Sequence, residues 1–117
     1  PPSMDQLITR AFMQRIRQAF ALDWRGIHGA PHWARVHEIG LRLAEQTGAK
    51  VAVVRLFAFL HDSQRRHDGR DAQHGHRAAR FALELRGRLF DLPDSEFELL
   101  LAACRDHSDG LLDADIT

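Results

Sequence analysis

The sequence predicts an all-α fold, a single helical bundle of about five to six helices, and three observations carry that prediction. Apolar residues recur at helical spacing in five separate stretches. Glycine, proline and aspartate punctuate the chain between them, where helices need caps and stops. No stretch reads as a convincing strand.

The first helix is expected from about Asp5 to Asp23, with Ile8, Phe12, Ile16 and Phe20 four apart as a buried stripe. Trp24 to Ala30, containing Gly26 and Gly29, reads as a loop, and Pro31 suits the first position of a second helix. That helix is expected to turn Val36, Ile39 and Leu43 inward and to end at Thr47-Gly48, where Gly48 can adopt the left-handed cap. A third helix, about Ala49 to Leu60, is apolar on most sides and so belongs in the middle of a bundle. Its β-branched Val51, Val53 and Val54 also suit a short strand. After a polar loop from Ser63 to Gly69, a fourth helix runs from near Asp71 to Arg86 and stops at Gly87. The fifth opens on Ser95-Glu96-Phe97-Glu98, a capping-box pattern, and buries Phe97, Leu100, Leu101 and Cys104.

The 117 residues suffice for one domain, spanning positions 1–117. Sixteen basic residues balance sixteen acidic ones, so no net field draws nucleic acid or an anionic membrane. Fifteen of the basic residues are Arg, with Lys50 the single lysine, a weak pointer to bidentate contacts with phosphate or carboxylate. The longest apolar run, Leu99 to Cys104, is six residues, too short to span a bilayer. A lone Cys104 excludes an internal disulfide and, with no leader evident, fits a cytoplasmic chain.

Eight histidines are the unusual figure. Four continue the buried stripe of their own helix: His32 stands four before Val36, His61 four after Phe57, His74 four before Ala78, and His107 three after Cys104. Single inward histidines are commonly core or helix-end groups. Four at helix ends, one followed by Asp62, are harder to bury separately, because each unpartnered imidazole costs about 1–3 kcal/mol. A shared metal ion satisfies them together, in a polar pocket between helices. His37 and His76 lie off these stripes and are expected at the surface; His67 falls in the polar loop. His28, just ahead of His32, is a candidate for the pocket mouth and for substrate binding.

These residues resemble the HD phosphohydrolase superfamily. His32-Trp33-Ala34-Arg35-Val36 is similar to its HxxRV opening, Leu60-His61-Asp62 to its naming pair, and His74-Gly75 and His107-Ser108 to the further histidines of two-metal members. The resemblance covers roughly Gly26 to the C-terminus. It implies a first divalent ion on His32, His61 and Asp62, and a second on His74 and His107 with Asp62 bridging. It also implies metal-dependent hydrolysis of a small phosphorylated substrate, a nucleotide or a related ester, with Asp62 catalytic. Imidazole and carboxylate ligands do not separate Mn, Fe, Co, Ni, Zn or Mg. The same order occurs in HD-fold di-iron oxygenases, and a non-catalytic nucleotide- or metal-binding regulatory domain is a third reading. The family pattern closes with a later Asp; Asp113 and Asp115 follow His107 closely, so the resemblance implies either a chain truncated before that Asp or a substitution by one of these two. No membrane or nucleic-acid partner is expected, and a homo-oligomer is left open.

Neighbouring residues carry paired readings. Arg35 either pairs with Glu38 or holds substrate phosphate, and Arg65 and Arg66 either take a catalytic part on phosphate or are solvated loop residues. Asp71 is expected to cap the fourth helix. Cys104 is expected in the core, without a nucleophilic role.

Overall fold

The computed structural model describes residues 7–108, which form five α-helices: α1 Arg10–Ala19, α2 Ala30–Thr47, α3 Val51–Leu60, α4 His74–Leu85 and α5 Asp94–Ser108. Apart from one backbone bridge between Arg86 and Phe90, no β pairing occurs among the described residues. The Val51–Val54 cluster is therefore helical. Apolar faces on neighbouring helices outweigh the modest strand preference of valine.

α3 contacts α2, α4 and α5, and so occupies the centre expected of a helix apolar on most sides. Leu56 and Leu60 are fully buried there, and Leu100 and Cys104 meet the same core from α5. No helix among the described residues is long and apolar enough to cross a membrane. Burial pushes the Cys104 thiol up to about 12, so it stays protonated and acts as a small core residue.

α1 is shorter than the apolar stripe suggested. Thr9 caps it, its side-chain oxygen accepting from the Phe12 N–H at 3.1 Å, and the chain leaves the helix at Phe20 with extended φ and ψ. Ile8, Phe12 and Ile16 are buried as expected and Phe20 partly so, although Ile8 and Phe20 lie outside the helix; Asp5 lies outside the described residues. Phe20, Trp24 and Trp33 pack edge to face at centroid distances of 5.1–5.9 Å. That cluster holds the Trp24–Gly29 loop against the start of α2. Gly29 is required by close approach, since a Cβ there would lie 2.2 Å from the Trp24 carbonyl oxygen. Pro31 is the second helical residue, and Gly48, at φ 75°, is the left-handed cap.

α2 is rotated from the expected face. Trp33, His37 and Ala44 are its buried residues, whereas Ile39 is 53% and Leu43 43% exposed. His37, expected at the surface, packs on the Phe59 ring at 5.3 Å, and burial together with the Arg55 charge lowers its pKa. Trp33 causes the rotation: its indole is seated in the Phe20–Trp24 cluster and fixes which side of α2 turns inward. Val36, partly buried against the core as expected, joins Ile39, Gly40 and Leu43 in lining a 550 Å³ apolar groove with Val53, Val54 and Phe57 of α3. The helices approach closely at Gly40, where a Cβ would lie 2.5 Å from Val54 Cγ1. Gly40→Ala is accordingly expected to destabilise the fold by about 1–2 kcal/mol, overpacking exceeding the roughly 1 kcal/mol gain in helix propensity. Urea unfolding checks this, and adding Val54→Ala should recover stability relative to Gly40→Ala alone.

α4 begins at His74 and ends before Gly87, whose φ is 83°. α5 begins at Asp94, so Ser95 lies inside its first turn and the Phe97 N–H donates to the Pro93 carbonyl at 2.9 Å. Phe97, Leu100, Leu101 and Cys104 are buried as the spacing predicts. Asp113 and Asp115 lie outside the described residues.

Candidate metal centre

The bundle brings the four helix-end histidines to one carboxylate. His32 enters from the first turn of α2, His61 from the C-cap of α3, His74 from the first residue of α4 and His107 from the last turn of α5. Asp62 follows His61 and is almost completely buried. Its Oδ2 lies 3.4 Å from Nε2 of both His32 and His61, and its Oδ1 lies 3.4 Å from Nε2 of both His74 and His107. Each carboxylate oxygen thus faces one pair of imidazoles.

Two clusters that can hold a metal ion arise among the described residues, His32-His61-Asp62 and Asp62-His74-His107, with Asp62 common to both. Donor atoms held at about 2.0–2.2 Å around one ion stand about 3.0–3.5 Å apart, so the 3.4 Å separations suit shared coordination. The His74–His107 Nε2 pair, at 2.8 Å, has to open by a few tenths of an ångström.

Tautomers supply the second test of fit. The His61 Nδ1–H donates to the carbonyls of Phe57 at 3.0 Å and Ala58 at 2.9 Å. Burial, with lesser contributions from His107 and His32, pushes its pKa down to about 4 against the opposing pull of Asp62. At neutral pH His61 is therefore neutral, with an Nε2 lone pair aimed at a carboxylate oxygen. His74 repeats the arrangement, its Nδ1–H donating to the Asp71 carbonyl. Lone pairs facing a buried anion are unfavourable without a cation among them, and second-shell carbonyls are the usual anchors of metal-binding imidazoles. These residues could hold a metal ion. Burial would raise the Asp62 pKa, but the imidazoles gathered around it outweigh that effect and hold the carboxyl far below its ordinary range.

A polar cavity of 520 Å³ opens over this centre, lined by His28, His32, Asp62, Arg65, Arg70 and His74 among others. His28 reaches its mouth and pairs with Asp68 at 3.2 Å. Arg35 lines the apolar groove on the other side of His32 and forms no ion pair with Glu38 or any other described residue. Arg65 lines the polar cavity and donates from Nε to Asp62 Oδ1 at 3.1 Å, whereas Arg66 does not line it. His67 is exposed in its loop; His76 is partly buried instead of fully at the surface.

Asp71 does not cap α4. It accepts the Arg66 N–H at 2.7 Å and the Arg77 guanidinium at 2.6 Å, tying the loop after Asp62 to the next helix. Those bonds, Arg66 and Arg77 together, hold its carboxyl down to about 2 against the effect of burial. The contact with Arg77 outcompetes a helix N–H because it is ionic and doubly accepted. Sequence reasoning passed over Arg70, whose only signal was its place between Gly69 and Asp71. No family model, curated protein or solved structure matches this chain.

Proposed function

We propose that this chain is a metal-dependent phosphohydrolase of the HD type that cleaves a small phosphate ester. The observation that carries the reading is the buried Asp62 with each oxygen facing two imidazole Nε2 atoms, two of those imidazoles having their Nδ1–H committed to backbone carbonyls. The ordered set His32, His61-Asp62, His74, His107 supports it by resemblance. His32 and His61 would hold one ion, His74 and His107 the other, and Asp62 would bridge. A bound divalent ion supplies a water acidified to near-neutral pKa and positive charge for phosphoryl oxygens. The chain's own residues do the rest: Arg65 fixes the Asp62 carboxylate from one side, and the carbonyls of Phe57, Ala58 and Asp71 fix the imidazole planes. His28 and Arg70 stand at the cavity where an ester would enter.

The test is purified protein loaded with Mn, Co or Ni, metal content measured, and offered nucleotides and generic phosphate esters. Release of inorganic phosphate is the expected result. Confirmed metal with no hydrolysis of any ester would overturn the reading, and iron with oxygen uptake would place the centre in the oxygenase class.

A further inference from the structure

The cationic groups around the polar cavity are not equivalent. Arg65 is engaged through Nε and Nη1: besides Asp62, its Nη1 donates to the carbonyls of His67 at 3.3 Å and Gly69 at 3.1 Å. His28 is occupied by Asp68. Arg70 lines the same cavity, is exposed, and forms no hydrogen bond or ion pair with any described residue. Yet the residues on either side of it are fastened. Gly69 is held through its carbonyl by Arg65, and Asp71 is held by the Arg66 N–H and by Arg77. A guanidinium with no partner among the described residues, on a tethered loop, above a buried carboxylate that two metal-compatible clusters share, is preset for an incoming anion; only its side chain has to order on binding.

Resting on the phosphohydrolase reading, we propose that Arg70 anchors the substrate's phosphate, with Arg65 a positioning residue that links Asp62 to the loop carrying Arg70. The planar fork of a guanidinium takes two oxygens at once. A phosphomonoester has three non-bridging oxygens, so it can give two to Arg70 and keep one for the centre. A diester has two, so the same grip leaves it no oxygen for the centre alone. The substrate class is therefore a terminal phosphate, and Arg70 is its specificity determinant.

The experiment uses the full chain with measured metal content and inorganic phosphate as the probe in isothermal titration calorimetry, alongside steady-state kinetics on a mono- and a diester. Arg70→Ala is expected to weaken phosphate binding about 10- to 100-fold, the value of a charge-assisted hydrogen bond, with metal content unchanged. Arg70→Lys, which keeps charge and loses the fork, should fall between. Arg80→Ala, an exposed arginine on α4 that does not line the cavity, should stay within about two-fold, which separates a specific contact from lost charge. In kinetics the monoester KM should rise far more than kcat falls, and the diester should be less affected.

Equal phosphate affinity in wild type and Arg70→Ala overturns the assignment even if esters are hydrolysed. Arg70-dependent phosphate binding without turnover of any ester upholds the anion site and removes the hydrolase reading. Metal-loaded wild type that binds no phosphate overturns both.

Discussion

Asp62→Asn is expected to remove tight metal binding from the whole centre, where losing any one histidine should impair one half. Asp62 is the residue common to both clusters, with Oδ2 facing His32 and His61 and Oδ1 facing His74 and His107. The amide keeps the volume and one acceptor oxygen but takes away the charge and turns an NH₂ toward one pair of lone pairs. Breaking a buried charge arrangement from one side costs about 3–5 kcal/mol, equivalent to about a 150- to 4,000-fold loss of affinity. Metal analysis after dialysis should find the variant with less than one ion per chain under conditions that load the wild type, and phosphoester hydrolysis reduced at least as strongly. His74→Ala should retain the His32–His61 side, and His32→Ala the His74–His107 side. If Asp62→Asn loads metal as the wild type does, the carboxylate is not the bridge and the imidazoles are packed for another reason.

The reason the centre was legible is that each histidine extends an apolar stripe at a helix end. His61 and His74 sit at i+4 and i−4 from Phe57 and Ala78, so their direction is fixed by helix geometry alone. The same rule failed on α2, where two faces compete. Val36, Ile39 and Leu43 form the more apolar stripe, and His37 counts against the other. The inward face is chosen by Trp33 docking on Phe20 and Trp24, a contact between residues whose relation depends on the loop between them. Local spacing does not encode that loop. Asp71 is a similar case: a helix cap is a local device readable from neighbours, but its ionic partner Arg77 is brought to it by the turn into α4. Arg70 went unnoticed for the converse reason, since what marks it is the engagement of the cations around it, a property of the folded loop.

Metal-free protein is expected to lose stability steeply on mild acidification, and His61 sets the window. Its pKa in the fold is about 4 against an ordinary 6.5, because burial penalises the imidazolium more than Asp62 favours it. Below pH 6.5 the unfolded chain takes up a proton that folded His61 refuses, so unfolding is favoured progressively until pH falls to about 4, where the loss levels off. The depression corresponds to about 3 kcal/mol at the acid end, a large part of the 5–15 kcal/mol typical of a domain. His37, whose pKa is lowered by burial and by Arg55, acts with the same sign. Asp62 acts elsewhere on the scale. Its depressed pKa contributes stability that persists above its ordinary 3.8 and is lost only as pH drops further, so it does not account for a change between pH 6.5 and 4. Urea unfolding in the presence of a chelator at intervals from pH 7.5 to 4.5 measures the slope. His61→Gln, uncharged throughout, should flatten it while His67→Gln, exposed in its loop, should not. Saturating metal should stabilise the wild type at pH 7.5, by about 2.7 kcal/mol at a hundred times the dissociation constant, and the gain should shrink toward pH 5 as protons compete for the imidazoles. A pH-independent midpoint in the metal-free protein, or an unchanged slope in His61→Gln, would show that His61 is not the buried neutral imidazole on which the centre depends.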